Sequence, residues 1–228
     1  FAHFAQMWYD LYKKPYLRKN SLNSIKYVLN DHILPYIGSY RLRDITPMQI
    51  QSIIASPSGK SNSLQSKVLV AMRNIFNVAQ ENGLIVRSPV SSTLKPTGKT
   101  TQEKKTLTVE ESPLLLNKVQ NTRARTFLLI ALHTGMRRGE ILGLQWKGID
   151  FKEKVIHVRY NAVVNEGETT VSEGLKTNAA KRNLPLSEEL EVWLIQRKKT
   201  SHSQYVIAME NHKPLTKSSY RSMWRLIE

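Results

Sequence analysis

At 228 residues the chain is long enough for two domains and at least one substantial core. Lysine and arginine number 34 against 18 aspartates and glutamates, and the formal charge of +16 points to a polyanion, nucleic acid first and a membrane surface second. The absence of cysteine excludes disulfides, thiolate zinc sites and cysteine nucleophiles together.

No long apolar span, signal-like N-terminus or basic amphipathic tail supports the membrane alternative, so the cytoplasm is the simplest location. The first residue is Phe1 rather than Met, and the chain is therefore expected to be an excerpt of a longer protein.

Phe1 to Lys14 has the pattern of an amphipathic helix with Phe4, Trp8, Leu11 and Tyr12 on one face, ended by Pro15. Ser21 to Leu34 makes a second helix, with Ile25, Val28, Leu29 and Ile33 inward and Pro35 closing it. Thr46-Pro47-Met48-Gln49 is a helix start: a Thr cap, proline at the first helical position and Gln three residues after the cap. Ile50, Ile53 and Ile54 form the apolar stripe of that short third helix. Asn62 with Gln65 opens a fourth, which carries Leu64, Val68, Met72, Ile75, Phe76 and Ala79 until Asn82-Gly83 stops it. Residues 1–93 thus form a small four-helix domain.

Through Thr97 this half has 12 lysines and arginines against 4 acidic residues, a net of +8. Solvated helix faces are the plain reading of such charges, but a neutral surface would interleave carboxylates. Lys26, Lys67 and Arg73 lie among small polar residues such as Ser24, Ser61, Ser63 and Asn74. Lysine with Ser and Asn suits phosphate and base-edge contact by a helix in the major groove. Lys26, Ser61, Ser63 and Lys67 are the contact candidates here, and Arg73, among apolar neighbours, has a structural reading beside that one. Leu94 to Lys105 contains proline, glycine, threonines and four lysines without apolar periodicity, and reads as a basic linker. Its Lys99, Lys104 and Lys105 would run beside phosphates.

Residues 106–228 form the second domain. Thr108 caps a helix through Val119 with Pro113 in its first turns, and Phe127 to Leu132 is a buried helix that Gly135 ends in a left-handed turn. Lys154 to Tyr160 alternates as strands do. Thr169 to Leu175 and Arg182 to Leu186 are further strands, with Asn178-Ala179-Ala180 as the turn between them, in one small antiparallel sheet. Ser187 caps a helix with Glu188 and Glu189 in its first turn and Arg197-Lys198-Lys199 in its last, complementing the dipole. Tyr205 to Met209 is a short buried strand and Lys217 to Ile227 another helix.

Two arginines follow Gly135 where the chain turns out of the core: Thr134-Gly135-Met136-Arg137-Arg138-Gly139-Glu140-Ile141-Leu142-Gly143-Leu144. A solvated, ion-paired helix end is one reading. The other is a rigid bidentate fork for a phosphate. This order, followed by Trp146 and Ile149-Asp150, resembles the first arginine box of the tyrosine recombinases, the phage integrase family. The resemblance implies that Arg137 is the first catalytic arginine and Glu140 the carboxylate that orients it; Arg138 stands where the family varies. Lys176-Thr177, a turn, Lys181-Arg182 and Leu184-Pro185-Leu186 are similar to the family's catalytic-lysine hairpin, which puts Lys176 in the lysine's place and Lys181 and Arg182 on backbone phosphates. The turn lacks the glycine or serine often seen there. His32-Ile33-Leu34-Pro35 and Asp44-Ile45-Thr46-Pro47 resemble the family's core-binding domain.

The implied fold is mainly α with a small antiparallel β-sheet: a SAM-like core-binding domain, then the first part of an α+β catalytic domain. The implied function is site-specific DNA integration through a 3′-phosphotyrosine intermediate, by a homotetramer that clamps double-stranded DNA at paired sites, with a directionality factor as a further partner. No carboxylate cluster suggests a metal, and no cofactor is implied. The location would be cytoplasmic and nucleoid-associated. The family's His-x-x-Arg box and tyrosine nucleophile are not found, and Tyr220 falls upstream of them. The runner-up is therefore a regulator that occupies sites without catalysis, and a basic helical protein matching by chance is the third reading. Residues 1–228 alone are expected to bind duplex DNA without covalent attachment. A phosphotyrosine linkage on a nicked suicide substrate would contradict that.

Overall fold

The computed structural model describes residues 1–55, 61–98, 105–165, 168–173 and 181–228, and the chain divides into two compact units, Phe1–Lys104 and Lys105–Glu228.

In the first unit, α1 (Ala2–Trp8) runs into a π-helical segment, Tyr9–Lys13, and is followed by α2 (Lys19–His32), α3 (Leu34–Ile37), α4 (Pro47–Ala55) and α5 (Asn62–Glu81). The core gathers Trp8, Ile33, Ile37, Ile50, Ile54, Met72, Ile75 and Phe76. The Thr46 start forms as expected: its backbone N–H donates to Gln49 Oε1 at 2.8 Å, and Gln49 N–H returns to Thr46 Oγ1 at 3.3 Å. Gly83 ends α5 at φ +69°.

Three details differ from the sequence reading. The buried face of α1 is Phe1, Ala5, Trp8 and Tyr9, whereas Leu11 and Tyr12 are exposed. The wider turn from Tyr9 shifts the phase of the apolar stripe and rotates those two outward. Pro35 does not close α2 but sits in the first turn of α3, where its missing N–H costs nothing. Gln65 does not start α5. It is buried, and its Oε1 accepts from the backbone N–H groups of Thr97 and Gly98 at 2.8 and 2.6 Å. With Leu94 in the core, that pair of bonds holds the stretch from Leu94 to Gly98 against the first unit.

In the second unit, α6 (Glu111–Lys118) starts on a reciprocal Thr108–Glu111 cap. Helix α7 (Thr122–Thr134) is the unit's spine, capped by Asn121 and ended by Gly135 at φ +61° as expected. It is apolar on most sides, with Phe127, Leu128, Leu129 and Ile130 buried, as befits a helix inside the core. Then come α8 (Arg138–Gly143), β1 (Ile149–Asp150), β2 (Val155–Val158), β3 (Tyr160–Asn165), β4 (Glu168–Glu173), β5 (Arg182–Pro185), α9 (Glu188–Lys199) and α10 (Lys217–Trp224).

The strands form two antiparallel sheets rather than one: β1-β2-β5, with Ile156 opposite Leu184, and a separate β3-β4 ribbon. β4 and β5 are not partners. The expected Asn178-Ala179-Ala180 turn lies outside the described residues. Arg159 marks the break between β2 and β3. Its Nη1 donates to the carbonyls of Val158 and Arg182 at 3.1 and 2.9 Å, and Nη2 donates to Asn183 Oδ1 at 2.7 Å, so it ties the end of β2 to β5. Ser187 occupies the cap position of α9, yet its hydroxyl bonds His133 Nδ1 at 2.9 Å instead of the helix backbone. Tyr205 to Met209 is no strand but a buried loop held by isolated bridges at Tyr205 and Ala208.

Helix α8 lies directly on β3. A Cβ built at Gly139 would run into Asn161 Oδ1, and one at Gly143 would meet the backbone nitrogen of Ala162 at 2.9 Å. Two glycines four apart clear one face of the helix for a strand. Gly143→Ala, pressed against backbone that cannot swing away, should cost about 1–3 kcal/mol, as overpacking does. Urea denaturation measures it; an unchanged midpoint would contradict the seating.

Candidate functional site

Helix α8 positions the arginine box. Glu140, in its first turn, is 3% exposed, and each carboxylate oxygen accepts two hydrogen bonds. Oε1 accepts from Arg137 Nη1 and Arg182 Nη1, both at 3.1 Å. Oε2 accepts from the Arg137 backbone N–H at 2.9 Å and from Arg182 Nη2 at 2.8 Å. Burial pushes the Glu140 pKa up, but the bonds from Arg182 and Arg137 more than offset it, and it lies below the ordinary value of 4.5. The Arg182 guanidinium is held further above its already high value by the same pair.

Arg137 precedes the helix with an extended backbone, and its side chain is 75% exposed. One edge of its guanidinium rests on Glu140 and the rest faces solvent. A permanent cation fixed by a buried carboxylate, with donors still open, is suited to an anion with several oxygens. Arg138 is placed differently: its guanidinium lies 5.2 Å from the ring of Tyr220. That ring packs against both Phe127 and Trp224, and burial first, only partly offset by Arg138, raises the phenol's pKa.

Of the residues singled out from sequence, Arg137, Glu140 and Arg182 converge. Lys181 is exposed immediately before β5, and Lys105 is exposed at the start of the second unit. Lys176, Lys99 and Lys104 lie outside the described residues. In the first unit, a groove of about 720 Å³ runs between α1, α2 and α5, lined by Ser63, Ser66, Lys67 and Asn74 on one side and Lys13, Ser21 and Ser24 on the other. Ser63 and Lys67 therefore share a surface. Ser61 stands at the N-terminal cap position of α5, and Lys26 sits with its Nζ 5.4 Å from the ring of Tyr9, neither among the lining residues. Among the described residues no group of three or more His, Asp or Glu is arranged to hold a metal, and no helix is long and apolar enough to cross a membrane.

Sequence reasoning placed Arg182 on phosphates and missed its pairing with Glu140, since nothing local joins residues 42 apart. It also passed over Gly139 and Gly143, whose spacing of four was the available signal.

Residues 105–228 match the phage integrase family, and residues 1–56 match the phage integrase N-terminal SAM-like domain. The chain belongs to the phage integrase family. Among curated relatives, the ICEBs1 integrase of Bacillus subtilis strain 168 is 27% identical over 183 residues, which is 77% of this chain and 50% of that protein. The match spans 35–50% of the length of the first curated relatives. Two solved integrases share the fold. The Tn1549 transposon integrase in complex with circular-intermediate DNA superposes with a TM-score of 0.82 at 18% identity, covering 98% of this chain and 76% of that one. A lambda integrase tetramer bound to a Holliday junction gives 0.74 at 17%, covering 99% and 64%. In this member of the family the arginine box is thus built on a buried, doubly clamped carboxylate.

The depressed Glu140 pKa fixes a sign. Its contribution to stability is fully present above about pH 4.5 and is lost as pH falls through the folded pKa. Glu140→Gln should cost about 1–3 kcal/mol near neutrality and converge on the wild type in acid. Urea denaturation at about pH 7 and about pH 3 checks this, and an equal deficit at both would contradict it.

Proposed function

We propose that this chain supplies the core-binding domain and the first part of the catalytic domain of a site-specific recombinase acting on double-stranded DNA. The observation that carries the reading is the exposed Arg137 guanidinium, anchored on one edge by buried Glu140 and open on the other. In DNA strand transfer to a tyrosine, charge builds on the non-bridging phosphate oxygens. A fixed guanidinium aimed at them stabilises that state, commonly by several kcal/mol per well-placed donor. The leaving 5′-oxygen needs a proton, and Lys176 is assigned to give it, supported by the resemblance of Lys176-Thr177 followed by Lys181-Arg182 and Leu184-Pro185-Leu186 to the family's lysine motif.

In this reading residues 1–93 hold the duplex through the face that carries Ser63 and Lys67, with Ser61 at the start of the same helix and Lys26 contributed by α2. Residues 94–105 connect the domains, and Lys99, Lys104, Lys105 and Lys181 lie along phosphates. The intact protein works as a homotetramer on paired sites, in the cytoplasm at the nucleoid, with a directionality factor selecting excision or integration. The solved relatives captured on circular-intermediate DNA and on a Holliday junction support the substrate class.

Duplex binding by this chain should weaken by about 10³-fold or more between about 50 and about 200 mM salt, corresponding to at least about six phosphate contacts. Near-constant affinity across that range would remove DNA as the partner. The proton-transfer role has its own test. In enzyme joined to its tyrosine nucleophile, Lys176→Ala should slow cleavage by roughly 10²-fold or more while leaving affinity unchanged. A 5′-sulfur leaving group needs little protonation and should restore most of that rate; no recovery would take Lys176 out of the role.

A further inference from the structure

We propose that Arg182 is a positioning residue: it locks the Glu140 carboxylate, which in turn aims Arg137 at a phosphate, and it makes no phosphate contact of its own. The proposal rests on the reading of Arg137 as a phosphate ligand.

The geometry separates the two arginines. Both terminal nitrogens of Arg182 go to one carboxylate, Nη1 to Oε1 at 3.1 Å and Nη2 to Oε2 at 2.8 Å, the parallel arrangement that fixes both distance and plane. Arg137 contributes one guanidinium nitrogen to the same group and leaves the rest of its fork outward. Exposure follows the same division, 29% for the Arg182 side chain against 75% for Arg137.

Without Arg182 each carboxylate oxygen would keep one donor, both from Arg137: the backbone N–H on Oε2 and Nη1 on Oε1. The Arg182 fork adds a second donor to each oxygen and ties the carboxylate to β5, so its plane no longer depends on the exposed Arg137 side chain. Its own backbone is tied down, because the Arg182 carbonyl accepts from Arg159 Nη1 at 2.9 Å and β5 pairs with β2 through Val158. Charge points the same way. A buried carboxylate with one cation would leave the site near neutral, whereas two cations leave it net positive and still drawn to an anion.

The test uses the whole chain with inorganic phosphate as probe, read from the Nε–Hε nuclear magnetic resonance of Arg137. In the wild type, phosphate should shift this resonance saturably while leaving that of Arg182 in place. Arg182→Met should weaken phosphate binding at Arg137 by roughly tenfold, the lower end of the loss when a ligand's supporting partner is removed. Arg182→Lys, which keeps the charge without the fork, should fall between and remains informative if Met unfolds the unit. In a Glu140→Gln background, Arg182→Met should cost less than about a further twofold, because the path through the carboxylate is already broken.

A full tenfold loss persisting in that background, or an Arg182 resonance that moves with phosphate, would make Arg182 a direct ligand and overturn the proposal. Unchanged binding in Arg182→Met, or in Arg182→Lys should Met unfold, would also overturn it while leaving Arg137 in place. A wild type whose Arg137 resonance does not respond would remove the phosphate site and the proposal together.

Discussion

The second unit depends on one buried ion. Taking the Glu140 carboxylate out of water costs several kcal/mol, and such a charge persists only when its lone pairs are filled. Here four donors fill them: the Arg137 backbone, the Arg137 side chain and both ends of the Arg182 fork. The backbone bond defines the start of α8, the side-chain bond sets the direction of Arg137, and the fork joins the helix to β5. Removing any donor exposes the cost of the rest, so the start of the helix, the edge of the sheet and the site are held as a unit.

That arrangement needs α8 close to the strands, which explains the glycines. Gly139 and Gly143 let the helix lie on the backbone of β3, and Arg159 draws β2 and β5 together at the point where β3 departs. Behind α8, the apolar body of α7 and the left-handed turn at Gly135 bring the chain out of the core at Arg137. A flexible cationic side chain becomes an oriented one because its anchor, Glu140 on α8, is itself fixed by Arg182 on β5.

What could be read in the sequence were features made within a few residues. The Thr46–Gln49 and Thr108–Glu111 caps and the glycine stops at 83 and 135 each rest on contacts local to one turn, and all four form. The arginine box was legible as a family pattern, down to Glu140 as the partner of Arg137. Pairing between strands was not, because alternation says which face is buried and not which strand lies alongside. Thus β4 was matched to β5 in place of β3. Long-range side-chain partners were missed for a related reason: Ser187 bonds His133 rather than its own helix, Gln65 takes the backbone at Thr97 and Gly98, and Arg182 pairs with Glu140. In each case the chosen partner is distant in sequence, and no local pattern announces it.

The central claim is that Glu140 is ionised and held by both arginines in the folded protein. The side-chain carboxyl carbon of Glu140, followed by nuclear magnetic resonance as the pH is lowered, tests it most directly. The clamp predicts a titration midpoint below the ordinary 4.5, with burial overcome by the two guanidiniums. A midpoint at or above that value would mean that desolvation wins and that the carboxylate does not anchor Arg137.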